Sequence, residues 1–190
     1  FSPAGPTLVS ATLLGVTYQN LGLSGQVNVV GGDGADSLVY NGTDSDDTFT
    51  LPGVGSNVIQ LAGLTGNYVP VDTEEYGGAI ESLTLNGLDG NDLFDITAGS
   101  DYNSISAVGG NPSGSDVLQI NDYGGQADVF SVNPGSTPGN GDVDVNAQTV
   151  PYSGIEHIHL FGSDDYGGDA LTINDDGADN AWDVSAGTVG

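Results

Sequence analysis

One short pattern returns four times in this chain, and it constrains the fold more than any other feature. The copies are Gly34-Ala-Asp-Ser-Leu-Val-Tyr40, Gly90-Asn-Asp-Leu-Phe-Asp-Ile96, Gly114-Ser-Asp-Val-Leu-Gln-Ile120 and Gly167-Gly-Asp-Ala-Leu-Thr-Ile173. Each opens Gly-x-Asp and runs into a short apolar stretch. Eleven or twelve residues after its Asp, each is followed by a second acidic or amide residue and a second apolar stretch. Those seconds are Asp47-Thr-Phe-Thr-Leu51, Asn103-Ser-Ile-Ser-Ala-Val108, Asp128-Val-Phe-Ser-Val132 and Asn180-Ala-Trp-Asp-Val184. A further run precedes three of the four, as in Ile80-Glu-Ser-Leu-Thr-Leu-Asn-Gly87 and Ile155-Glu-His-Ile-His-Leu-Phe-Gly162.

Within these runs apolar residues alternate with period two, and no segment has a helical period. Phe130 and Val132 share one face, and Ile158 and Leu160 share a face opposite His157 and His159. Gly, Asn, Asp and Ser, the turn formers, fill the gaps. The chain is therefore expected to be all-β. The repeated turn chemistry favours a parallel β-solenoid, a β-helix or β-roll with coils of roughly 22–28 residues, within the period range of repeat architectures. The alternative is a β-sandwich, which also uses short strands at about this spacing. The leading Asp residues at 36, 92, 116 and 169 are separated by 56, 24 and 53 residues, which fits one coil and two longer steps. Residues 1–25 are expected to form an extended segment or first strands, and 26–190 one continuous repetitive domain.

Charge sets the second constraint. The 190 residues include no Lys or Arg against 26 Asp and Glu, a formal net charge of -26. Internal salt bridges cannot relieve that charge. Nucleic acid and anionic membrane surfaces, which are held by Lys and Arg, are excluded as partners. There is no Cys, hence no disulfide and no thiolate chemistry. No run approaches the roughly 18 apolar residues of a membrane helix. For Asp clustered among Gly and Asn, the matching counter-charge is a hard divalent cation with oxygen ligands, calcium above all.

Residues 31–39, Gly-Gly-Asp-Gly-Ala-Asp-Ser-Leu-Val, match every fixed position of the nonapeptide G-G-x-G-x-D-x-U-x. Residues 87–95, Gly-Leu-Asp-Gly-Asn-Asp-Leu-Phe-Asp, match it with the second Gly lost, and 111–119 and 164–172 keep mainly the Asp and the inward Leu. The chain thus resembles the calcium-binding β-roll of the repeats-in-toxin family and related Gly/Asp-rich bacterial surface proteins. The resemblance implies calcium-bearing turns at Asp33, Asp36, Asp89 and Asp92. The weaker copies add Asp116 and Asp169. In that family the nonapeptides run in tandem, whereas here the copies are isolated.

Two further clusters, Asp44-Ser-Asp46-Asp47 and Asp175-Asp176-Gly-Ala-Asp179, crowd carboxylates into turns, where a cation would remove their mutual repulsion. Neither has the spacing of an EF-hand loop. His157 and His159 point to the same face of one run, as a zinc or copper pair does, but no third ligand accompanies them, and two exposed sheet residues are the reading they favour. Trp182 and the Tyr residues have the chemistry to stack on sugar rings, and the simpler reading for them is packing. Asn41-Gly-Thr43 is a glycosylation sequon.

No nucleophile, metalloprotease or phosphate-loop motif is present. The expectation is a non-enzymatic, extracellular or cell-surface, calcium-binding structural repeat protein: a subunit of a surface layer, an adhesin stalk or a self-assembling filament. Self-association, including head-to-tail polymerisation through open end rungs, and contact with surface glycans are its expected partnerships. A carbohydrate-binding or adhesive module and a polysaccharide hydrolase are the alternatives.

Overall fold

A computed structural model describes residues 25–63, 66–68, 70–73, 80–111, 115–125, 127–162, 168–175, 177 and 184–185. Residues 1–24, all but the last residue of the expected first segment 1–25, lie outside the described residues, as do Asp176, Asp179 and Trp182.

Alternating residues that suit a pleated, half-buried surface become strands wherever turn formers flank them. The strands are β1 (Val27–Asn28), β2 (Ser37–Asn41), β3 (Asp47–Leu51), β4 (Val58–Gly63), β5 (Gly66–Asn67), β6 (Val71–Asp72), β7 (Ser82–Asp89) and β8 (Leu93–Thr97). They continue as β9 (Ser104–Asn111), β10 (Val117–Asn121), β11 (Val129–Pro134), β12 (Gly141–Val145), β13 (Gln148–Ser153), β14 (His157–Phe161) and β15 (Ala170–Ile173). No helix occurs among the described residues, so the all-β expectation holds.

The strands form two mixed sheets. The first has the order β1-β6-β4-β3-β8-β10-β14, with β5 attached to β4, and the second the order β15-β11-β12-β13-β9-β7-β2. Along the chain the strands alternate between sheets: β1 first, β2 second, β3 first, β7 second, β8 first, β9 second, β10 first, β11 second, β14 first and β15 second. Two antiparallel excursions interrupt the alternation. β4 to β6 fold back within the first sheet, and β12 and β13 within the second. Elsewhere neighbours run parallel, in β2·β7·β9·β13 and in β3·β8·β10·β14. A two-sheet layout is what the sandwich alternative requires, while the parallel pairs are those that a coil requires.

Parallel register stacks like side chains. Phe49, Phe94, Leu118 and Ile158 line up across the first sheet, as do Leu51, Ile96, Ile120 and Leu160. Leu38, Leu83 and Ile105 align in the second sheet, and Tyr40, Leu85, Ala107 and Tyr152 in the next row. These rows belong to one hydrophobic core between the sheets. Phe49 and Phe94 stack with centroids 5.2 Å apart and planes 5° from parallel, and Tyr40 meets Phe49 edge-on at 5.9 Å from the opposite sheet. Such pairs add about 0.5–1.5 kcal/mol beyond their buried area. His157 and His159 are exposed, while Ile158 and Leu160 pack on the core, as the alternation predicts.

One sequence equivalence is corrected. The four Gly-x-Asp copies do not head equivalent strands. Asp92 and Asp116 lead into β8 and β10 of the first sheet, whereas Asp36 and Asp169 lead into β2 and β15 of the second. Strand-to-turn chemistry is the same in either direction of crossing, so the repeat marks a turn without marking which sheet follows.

Candidate carboxylate site

A strand that joins a parallel neighbour needs a partner for the N–H of its leading residue, which lies outside the regular ladder. This chain supplies it from a side chain one strand over. Asp47 N–H donates to Asp92 Oδ1 at 2.8 Å, Asp92 N–H to Asp116 Oδ1 at 2.8 Å, and Asp116 N–H to Glu156 Oε2 at 2.9 Å. The three bonds form one line along the N-terminal ends of β3, β8, β10 and β14. In the second sheet Asp36 N–H donates to Glu81 Oε2 at 2.6 Å and Asp128 N–H to Asp169 Oδ1 at 2.9 Å. Main-chain bonds tie the same residues together, as from Val117 N–H to Asp92 O and Ala170 N–H to Asp128 O, both 2.8 Å.

Four acids of these lines are buried. Asp47, Asp92, Asp116 and Asp128 are at most 2% exposed. Each uses one carboxyl oxygen in a hydrogen bond and keeps the other buried without a partner, as does the half-buried Asp36 with one oxygen. Glycines make room for them. A Cβ on Gly87 would overlap the Asp92 carboxyl, one on Gly109 would overlap that of Asp116, and Gly42 and Gly162 stand in the same relation to Asp47 and Asp169.

Burial raises the pKa of three of these acids, Asp92, Asp116 and Asp128, because a carboxylate loses hydration inside a protein. Asp92 is pushed up to about 7, by burial first and then by the charges of Asp116, Asp47 and Asp46, against the lowering effect of the Asp47 N–H. Asp116 is raised by burial and by Glu156. Asp128 is raised by burial and then by the carboxyl of Asp122.

The predicted site residues divide by position. Asp47, Asp92 and Asp116 stand in the buried line, and Asp36 begins the second-sheet line. Asp33, Asp44, Asp46, Asp89, Asp169 and Asp175 are exposed. Asp46 Oδ1 accepts the N–H of Asn91 at 2.9 Å, which brings the turns 43–47 and 87–92 together. Asp175 Oδ1 accepts Gly177 N–H at 3.0 Å. The two best nonapeptide matches are not brought together. The 31–36 turn precedes a second-sheet strand and the 87–92 turn a first-sheet strand, at opposite ends of the sheets' strands. Among the described residues, no three or more His, Asp or Glu side chains converge on one point.

Sequence reasoning did not select Glu81, Glu156, Asp122 or Asp128 as site residues. The Ile-Glu pairs 80–81 and 155–156 were the available signal, since each Glu stands where Asp stands before other strands.

Beside the β10–β11 turn lies an open cleft of about 430 Å3, lined by Tyr102, Tyr123, Asn146, Gln148, Ser100 and Asn103 among others. Tyr123 is half-exposed there. The Tyr102 hydroxyl is hydrogen-bonded to Thr73.

Comparison of the chain with protein-family models, with curated proteins and with solved structures finds no match.

Proposed function

We propose that this chain is an extracellular structural module, a wound β-solenoid with two antiparallel excursions, whose carboxylate turns are neutralised by calcium. The winding reading rests on the alternation between sheets. Adjacent coils step by 22 residues from Thr84 to Ser106 and by 24 from Asp92 to Asp116. The longer step of 45 from Asp47 to Asp92 contains β4–β6, and that of 40 from Asp116 to Glu156 contains β12–β13.

The observation that carries the calcium reading is the set of four buried aspartates, each with an unpartnered oxygen, in a chain without Lys or Arg. A buried carboxylate must take up a proton or meet a cation. At neutral pH calcium supplies that charge through oxygen ligands and couples binding to folding. The exposed Asp33, Asp44, Asp46, Asp89, Asp169 and Asp175 are the groups from which solvent calcium is first captured.

The sheet edges support service as a subunit of a surface layer, stalk or filament. Among the described residues β14 and β15 each pair on one side only, and Leu171, in register with the buried Phe130, is 51% exposed. Unpaired edges are templates for another chain. Calcium titration of chelator-stripped protein, followed by circular dichroism and light scattering, tests the proposal. Gain of β-structure and assembly with calcium, and not with sodium at equal ionic strength, is expected. Full folding without response to calcium would overturn it.

The cleft at Tyr123 favours a second reading, a carbohydrate-binding module, because an exposed ring beside amides and a hydroxyl suits sugar stacking and hydrogen bonding. Binding on a glycan array that disappears in Tyr123→Ala would support it.

A further inference from the structure

Four glycines pack against the Asp that leads the next strand: Gly42 and Gly162 directly after β2 and β14, and Gly87 and Gly109 near the ends of β7 and β9, in register with Gly42. The β8–β9 turn has Ala98 at the equivalent position, and the β10–β11 turn has an acid. Asp122 stands in the glycine's place, directly after Asn121, and its N–H makes the equivalent main-chain bond, to Phe161 O at 2.8 Å. Gly42 N–H likewise donates to Asn86 O at 2.8 Å. The substitution puts a second carboxyl within hydrogen-bonding reach of the Asp128 carboxyl.

Independently of that clustering, Asp128 is wholly buried. Its Oδ1 accepts Asn146 Nδ2 at 2.9 Å, and its Oδ2 has no partner. Both oxygens of Asp122 are also buried without a partner. Asp169, whose Oδ1 accepts Asp128 N–H at 2.9 Å, brings one more negative charge beside the pair. Three carboxyl oxygens on two side chains are therefore left unsatisfied in one place. A proton shared between the two acids would satisfy one oxygen of each and leave the third. One cation satisfies all three.

We propose that Asp122 and Asp128 form a specific binding site for a single calcium ion, which takes its remaining ligands from main-chain carbonyls and water. Calcium accepts 6–8 oxygen ligands in flexible geometry, whereas magnesium demands a near-octahedral set. The assignment deepens the calcium reading of the turns and rests on it, and it names a pair that the nonapeptide pattern does not mark.

The glycine position supplies the test. Asp122→Gly installs the residue that four other turns carry, so the turn keeps its backbone. Asp122→Asn keeps the side-chain shape and removes the charge. Calcium bound per chain is measured by equilibrium dialysis of the whole chelator-stripped protein at neutral pH, and wild type is compared with whichever variant retains its far-UV spectrum. The expected result is one calcium fewer per chain than wild type. Equal stoichiometry and affinity in the variant would overturn the assignment while leaving calcium at the other turns intact. No calcium uptake by wild type would overturn both.

Discussion

Asp92 combines the opposing demands on this chain in one side chain. Its Oδ1 is needed as an acceptor for Asp47 N–H, its Oδ2 has no partner, and Gly87 leaves just enough room for it. Two substitutions separate the demands. At about pH 4, where wild-type Asp92 is protonated, Asp92→Ala is expected to cost about 1–3 kcal/mol, because the buried Asp47 N–H loses its acceptor. Asp92→Asn preserves an acceptor oxygen and does not titrate, so its melting temperature should vary less with pH than that of wild type. Thermal melts across pH check both. Gly87→Ala forces a Cβ into the Asp92 carboxyl, and overpacking of this kind costs about 1–3 kcal/mol. Urea unfolding would record it as a lower midpoint. At this scale the repeated Asp was legible because its chemistry recurs in the sequence. The glutamates that close the lines were not, since a longer side chain reaching the same N–H breaks the Gly-x-Asp pattern. Asp122 was hidden for the opposite reason, because one more Asp in an acidic turn carries no signal until the glycine it replaces is seen.

Several elements repeat one device: β2, β10, β14 and β15 are each entered through an acid, and each has Asn or Gly at its end or directly after it. Period-two alternation located the long strands, and it assigned the correct inward faces, as at Phe130, Val132, Ile158 and Leu160. It did not reveal β12 and β13, whose tight antiparallel turn rests on Asn146 with φ 52. That side chain also accepts Val129 N–H at 3.2 Å and donates to Asp128 at 2.9 Å, so it braces β11 from the neighbouring turn. Asn146→Ala removes both bonds and places a less tolerant residue at positive φ, with an expected loss of about 1–3 kcal/mol. Asn146→Gly relieves the backbone and loses only the side-chain bonds, so it should fall between wild type and Ala in denaturant midpoint. In sequence spacing alone such excursions look like longer coils. The physical reason is that a hairpin and a coil both consist of alternating residues between turn formers.

Across the whole molecule the net charge of -26 has no internal answer. The raised carboxyls translate that charge into pH dependence. Asp92 titrates near 3.8 when unfolded and at about 7 when folded, so the folded state holds its proton more tightly between those values. Its contribution is complete below about pH 4 and is lost as pH rises through 7, at up to about 1.4 kcal/mol per pH unit for one group. Burial acts in the same direction on Asp116 and Asp128. A calcium ion that takes the place of the protons should remove this slope. The deciding measurement is the melting temperature of chelator-stripped protein at pH 5 and pH 8, with and without calcium, at ionic strength matched with sodium. The expected result is a lower melting temperature at pH 8 than at pH 5 without calcium, restored by calcium and not by sodium. Equal melting temperatures with and without calcium at pH 8, or equal rescue by sodium, would contradict neutralisation of the buried carboxylates by calcium.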